Sequence, residues 1–106
     1  MVFSGIWNVL SSPDFDEGYL RTEVDPYLTL HQSGDRVEGR YQVGLQTGDL
    51  YGRLEGQNRI FFSFEGMDEL EEMNGAGMAT LNGNRLTFEL RYHQGDEYTF
   101  ECGRME

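Results

Sequence analysis

Residues 85–102 read Arg85-Leu86-Thr87-Phe88-Glu89-Leu90-Arg91-Tyr92-His93-Gln94-Gly95-Asp96-Glu97-Tyr98-Thr99-Phe100-Glu101-Cys102. From Leu86 to Tyr92 the even positions are apolar or aromatic and the odd positions are polar or charged. After Gln94-Gly95-Asp96 the same alternation resumes through Tyr98, Phe100 and Cys102. A period of two puts alternate side chains on opposite faces of a strand, so each half has one buried and one wet face. Gly, Asn and Asp tolerate the positive φ of tight turns, so the middle of the stretch reads as a hairpin.

Working outward, the pattern repeats along the chain. Eight runs alternate in this way: 3–10, 27–33, 36–44, 49–55, 59–66, 76–82, 85–93 and 97–103. Ser33-Gly34-Asp35, Gln46-Thr47-Gly48, Gly56-Gln57-Asn58 and Asn82-Gly83-Asn84 carry the same turn chemistry. Consecutive hairpins without a crossover make an all-β antiparallel meander. Eight such strands can close into an up-and-down barrel by pairing the first with the last, which removes both edges. A two-sheet sandwich is the competing arrangement. With 106 residues there is room for one domain, residues 1–106, and one core. Two connections are elaborate: the long loop 11–26 with Pro13 and Pro26, and 67–75. Asp68, Glu71 and Asn74-Gly75 suggest a capped helical turn near 68–74, with Met67, Leu70 and Met73 on one face above the barrel mouth.

In a meander, alternate connections share an end. Both elaborate loops therefore lie at one rim, and twelve of the nineteen acidic residues go with them: Asp14, Asp16, Glu17, Glu23, Asp25, Asp49, Asp68, Glu69, Glu71, Glu72, Asp96 and Glu97. The net charge is −11 and all eight basic residues are arginine. This balance disfavours nucleic acids and anionic membranes and suits solubility or a cationic partner. No run is apolar over the length of a membrane span, and the start lacks the basic-then-apolar pattern of a signal peptide. With a single cysteine, Cys102, of inward parity, a cytoplasmic location is expected.

Phe3-Ser4-Gly5-Ile6-Trp7 contains a Gly-x-Trp, and the opening resembles the first strand of the calycins: lipocalins, avidins and fatty-acid-binding proteins. The likeness to the last group continues through Ser11-Ser12 and Phe15-Asp16 to Tyr19, about 17 residues in all. It implies a ligand-binding barrel in which a late arginine, Arg104, covers Trp7. The Arg-x-Tyr that holds a fatty-acid carboxylate in that group would fall at Arg104 and Glu106, so the tyrosine is missing. The stretch from Phe62 to Glu97 resembles a group of small bacterial proteins and brings no activity with it.

No nucleophile elbow, phosphate loop, Cys-x-x-Cys or His-Glu-x-x-His is present, and there is no lysine, which weighs against an enzyme. No cofactor is implied. His93 with Asp96, Glu97, Asp68 and Glu69 is the most metal-like set, but its spacing matches no metal loop, and no metal is expected. Tyr41, Tyr92 and Tyr98 point inward near the acidic rim, above Phe62 and Phe64. With Met67, Leu70 and Met73 they are the candidate binding residues for a small neutral or cationic apolar ligand. The alternative is a non-enzymatic interaction protein with a filled barrel. It would meet a basic protein surface or form a homodimer through outward Tyr51, Phe61 and Met78.

Overall fold

The computed structural model describes residues 2–105. Eight strands follow in order: β1 Gly5–Ser11, β2 Tyr27–Ser33, β3 Arg36–Val43, β4 Gln46–Glu55, β5 Arg59–Asp68, β6 Glu71–Asn82, β7 Arg85–Tyr92 and β8 Glu97–Arg104. One short helix, α1 Glu17–Leu20, lies in the first loop. Every strand pairs antiparallel with its sequence neighbours, and β1 pairs with β8, so the sheet closes into a barrel rather than splitting into a sandwich. Closure leaves no row of unpaired strand amides at an edge. Among the described residues no helix is long and apolar enough to cross a membrane.

Alternation places the core as a period of two requires. Trp7, Val9, Leu28, Leu30, Val37, Tyr41, Leu50, Ile60, Phe62, Phe64, Leu86, Phe88, Leu90 and Phe100 are buried inside. Phe88 is the hub of an aromatic network, with Tyr41 at 5.6 Å, Phe62 at 5.5 Å and Phe100 at 6.1 Å between ring centroids. Offset and edge-on rings at these separations attract one another beyond the area they bury. Side chains thus fill the middle of the tube, as the bore of an eight-stranded barrel allows. Cys102 belongs to this core; burial pushes its thiol up to about 12, which leaves it protonated and unreactive at neutral pH.

Two connections differ from expectation. The 67–75 segment is not a helical turn. β5 runs on to Asp68, β6 begins at Glu71, and Asp68 pairs with Glu71 across a two-residue turn of Glu69 and Leu70. Glu69 takes φ 56°, the left-handed conformation that a hairpin turn demands. Gly75 lies inside the ladder rather than ending a helix: a Cβ there would come within 1.9 Å of the Arg91 carbonyl oxygen. Strand parity also separates the three residues expected on one face. Met73 points inward opposite Gly66, Met67 points outward, and Leu70 stands 93% exposed at the tip. The helical turn is at 17–20 instead, where the Asp16 carboxylate accepts from the Tyr19 amide at 2.8 Å. The second difference is β4, which starts at Gln46 because the hairpin turns at Gly44-Leu45 with φ +59° at Gly44.

The tight-turn end is sealed by the first and last strands. Trp7 and Arg104 are register partners, and the guanidinium lies 4.2 Å from the centroid of the indole. Its Nη1 donates to the Ser4 carbonyl at 3.0 Å, while the indole Nε1 donates to the Phe3 carbonyl at 3.1 Å. Glu106, the position compared with the fatty-acid tyrosine, lies outside the described residues.

Candidate functional site

The opposite end is built differently, and the first loop shapes it. Phe15 stacks on Tyr19 at 4.7 Å and on Phe100 at 5.8 Å and leans against Tyr98 at 4.7 Å, and Leu20 is buried. The loop is tied to the barrel at two places. The Asp14 carboxylate accepts from the Thr99 amide at 2.8 Å, and the Leu20 carbonyl accepts from the Gly44 amide at 3.1 Å. A Cβ on Gly44 would lie 2.3 Å from the Tyr19 ring, so only glycine lets the phenol settle there. The loop thus covers one side of the mouth.

The uncovered side is a cleft of about 310 Å³ between the β5–β6 and β7–β8 hairpins. Its walls include Asp68, Met73, Tyr92, His93, Asp96 and Tyr98. Tyr92 and Tyr98 meet edge to face at 5.3 Å, and Phe64 lies beneath, 5.6 Å from Tyr92. The Tyr92 hydroxyl donates to the Gln46 side-chain carbonyl, and the amide nitrogen of Gln46 donates to the Tyr19 hydroxyl at 3.2 Å. The Tyr98 hydroxyl donates to the Asp96 carboxylate at 3.1 Å.

Below this chain sits Tyr41, fully buried, with its ring edge-on to Phe64 at 6.2 Å. Gly48, its register partner on β4, makes room for it, since a Cβ there would come 2.6 Å from the hydroxyl. That hydroxyl has no hydrogen-bond partner among the described residues. Buried polar atoms are rarely left so, because an unmet hydroxyl costs ~1–3 kcal/mol. Burial, followed by the negative charges of Asp49 and Asp68, holds Tyr41 well above the usual phenol range. Tyr92 is raised by burial and then by Tyr41 and Asp68, and Tyr98 by burial and then by Asp96. All three phenols therefore stay neutral and can donate.

Of the residues singled out from sequence, Tyr92, Tyr98 and Met73 line the cleft, and Phe64 and Tyr41 support it from below. Phe62 lies deeper in the core, and Met67 and Leu70 face away. Tyr19, Gln46 and Phe15 belong to the site and were missed. Asp16, an N-cap residue type directly before the acidic first-turn residue Glu17, is the capping signal that would have found α1. Among the described residues no three His, Cys, Asp or Glu side chains converge closely enough to hold a metal ion, so His93 and the neighbouring carboxylates form no such set.

No protein-family model and no curated protein matches the chain. Solved structures do. A redesigned β barrel, mFAP1, bound to DFHBI, superposes with a TM-score of 0.68 at 14% identity, covering 97% of this chain and 95% of that one. The REP1-NXSQ fatty acid transporter superposes with a TM-score of 0.59 at 11% identity, covering 97% and 96%. The likeness is one of fold. It spans essentially the whole of each chain.

Proposed function

We propose that the protein is a small-molecule-binding barrel of calycin-like form, and that it takes a neutral or cationic apolar ligand at the acid-lined mouth. The observation that carries this reading is the Tyr41 hydroxyl, buried without a partner beneath a cleft whose other phenols are all engaged. A ligand reaching past Tyr92 would satisfy it. One structural neighbour is bound to DFHBI and the other is a fatty acid transporter, so both deal with a small molecule. The filled core restricts the ligand here to the mouth. Asp68 and Asp96 stand in the cleft wall, and charges within ~8–10 Å act before salt screens them. A carboxylate is therefore opposed, and an ammonium or neutral ring that packs on Tyr92 and Tyr98 is favoured.

Titration with 2-phenylethylamine and its near-isostere 3-phenylpropionate, followed by NMR, tests this. The amine should bind more tightly and shift the ring signals of Tyr92 and Tyr98, and Asp68→Asn should narrow the difference. Equal or tighter binding of the carboxylate would refute the charge argument, and shifts confined to other surfaces would refute the site.

A second reading is an interaction barrel that dimerises through its outer face. It rests on Tyr51 and Phe61, exposed on adjacent strands, with Met78 opposite Phe61 in register. Sedimentation at micromolar concentration distinguishes it, since Tyr51→Ser with Phe61→Ser should leave only monomer.

A further inference from the structure

Five of the eight arginines lie toward the tight-turn end, the reverse of the carboxylates, and two of them are placed against the ordinary rule of sheets. Arg36 on β3 and Arg53 on β4 are register partners, both directed outward. Like charges directly opposite one another destabilise a sheet. The chain has nineteen acidic residues and uses them elsewhere: four residues along β3, Arg40 is opposite Asp49 at 3.9 Å, and Arg91 is opposite Glu97 at 2.8 Å. Among the described residues neither Arg36 nor Arg53 is in an ion pair.

The pair borders a groove of about 590 Å³ on the outer surface of β2, β3 and β4. His31 and Ser33 line it from β2, Glu38 lies between His31 and Tyr51 in register, and Tyr51, 61% exposed, lies next to Arg53 along β4's outer face. The chemistry divides along the groove. At one end Ser33, Arg36 and Arg53 are register neighbours across three strands, a row of a hydroxyl and two guanidinium-bearing side chains suited to the oxygens of a phosphate or carboxylate. At the other an exposed phenol offers a ring face, and Glu38 and His31 offer an acceptor and a polar partner.

We infer that this groove is a second binding site, for a small molecule in which an oxyanion is carried on a planar ring. The oxyanion sits between Arg36 and Arg53, the ring lies on Tyr51, and Glu38 accepts from a donor on the ring. Glu38 also repels a second negative group, which restricts the ligand to one anionic end. The acidic mouth does not forbid this. Along β3 it is seven residues away, about 23 Å at ~3.3 Å per residue, well over two screening lengths at ordinary salt. The site is independent of the mouth reading and takes ligands of opposite charge.

Phenyl phosphate, benzoate, inorganic phosphate and benzyl alcohol, titrated separately and followed by amide NMR, test the inference. Phenyl phosphate should shift amides around Arg36, Tyr51 and Arg53. Benzyl alcohol should produce no such shift, and inorganic phosphate should bind more weakly than its phenyl ester. Benzoate tells whether a carboxylate suffices. Arg36→Gln and Arg53→Gln should each weaken phenyl phosphate by about tenfold or more, the loss of one charge-assisted bidentate contact. Tyr51→Ala should bring it down to the level of inorganic phosphate. These side chains point outward, and the same spectra report whether each variant is folded. Shifts spread over Arg21, Arg40 and Arg91 as well, or affinity indifferent to Arg53→Gln, would overturn the site.

Discussion

Replacing Tyr41 by phenylalanine removes one oxygen atom and separates what that atom does for the fold from what it does for a ligand. The hydroxyl is buried with no partner, so the free protein bears its desolvation, ~1–3 kcal/mol. Deleting it leaves a small void that takes back part of the gain, so Tyr41→Phe should stabilise the barrel by about 1 kcal/mol. For a domain of this size that raises the melting temperature by roughly 4–6 °C. Urea unfolding reads the change directly, with the fluorescence of Trp7, the one tryptophan, as the signal. The same variant should bind 2-phenylethylamine about 3- to 10-fold more weakly if the hydroxyl meets the ligand. Alkaline pH gives an independent check. The folded-state pKa of Tyr41 is raised above its ordinary value of 10.0 by burial and by the nearby Asp49 and Asp68. Above pH 10 the unfolded chain therefore loses this proton while the folded chain keeps it, and stability falls as pH rises. Tyr41→Phe removes one such proton, so its stability should fall less steeply above pH 10; Tyr92 and Tyr98 continue to contribute. A destabilisation of about 1 kcal/mol or more at neutral pH would refute the reasoning, because it would mean the hydroxyl is already satisfied.

Two other substitutions test the two ends of the barrel. Arg104→Ala should lower stability by ~0.5–2 kcal/mol through loss of the guanidinium over Trp7, with a change in tryptophan emission and no effect on ligands at the mouth. Glu69→Gly should raise stability by about 0.5–1 kcal/mol in thermal or urea unfolding, because glycine takes the positive φ at no steric cost. In a helical turn the same change would destabilise, so its sign checks the hairpin.

The strands were legible because a period of two has one structural meaning when turn residues punctuate it at short, even intervals. Residues 85–102 show this: each even position from Leu86 to Leu90, and then Phe100 and Cys102, is buried. The mouth was harder. Met67, Leu70 and Met73 are spaced by three, which suits a helix face. Nothing local reveals that Gly66, Gly75 and Gly77, poor strand formers alone, are held in the ladder because neighbouring backbone comes too close for any side chain. Gln46 reads as a turn residue, and only the Gly44 turn moves it into β4, where it joins Tyr92 to Tyr19. The three inward tyrosines were found by parity; the loop that packs beside them was not, because its contacts to Phe100 and Thr99 span more than eighty residues.

The pairing of β1 with β8 has a consequence for how the chain is made. β1 finds one neighbour within about twenty residues, but its other edge waits for Gly103 and Arg104, at the far end of the sequence. At 5–20 residues per second that edge stays open for about 5–20 s during synthesis. Through that interval the growing protein is a curled, unfinished sheet with Trp7 uncovered and a strand ready to accept any extended segment nearby. The synthesis of β8 is then the step that ends this exposure, and a chain lacking that strand would be left permanently able to pair with its own copies.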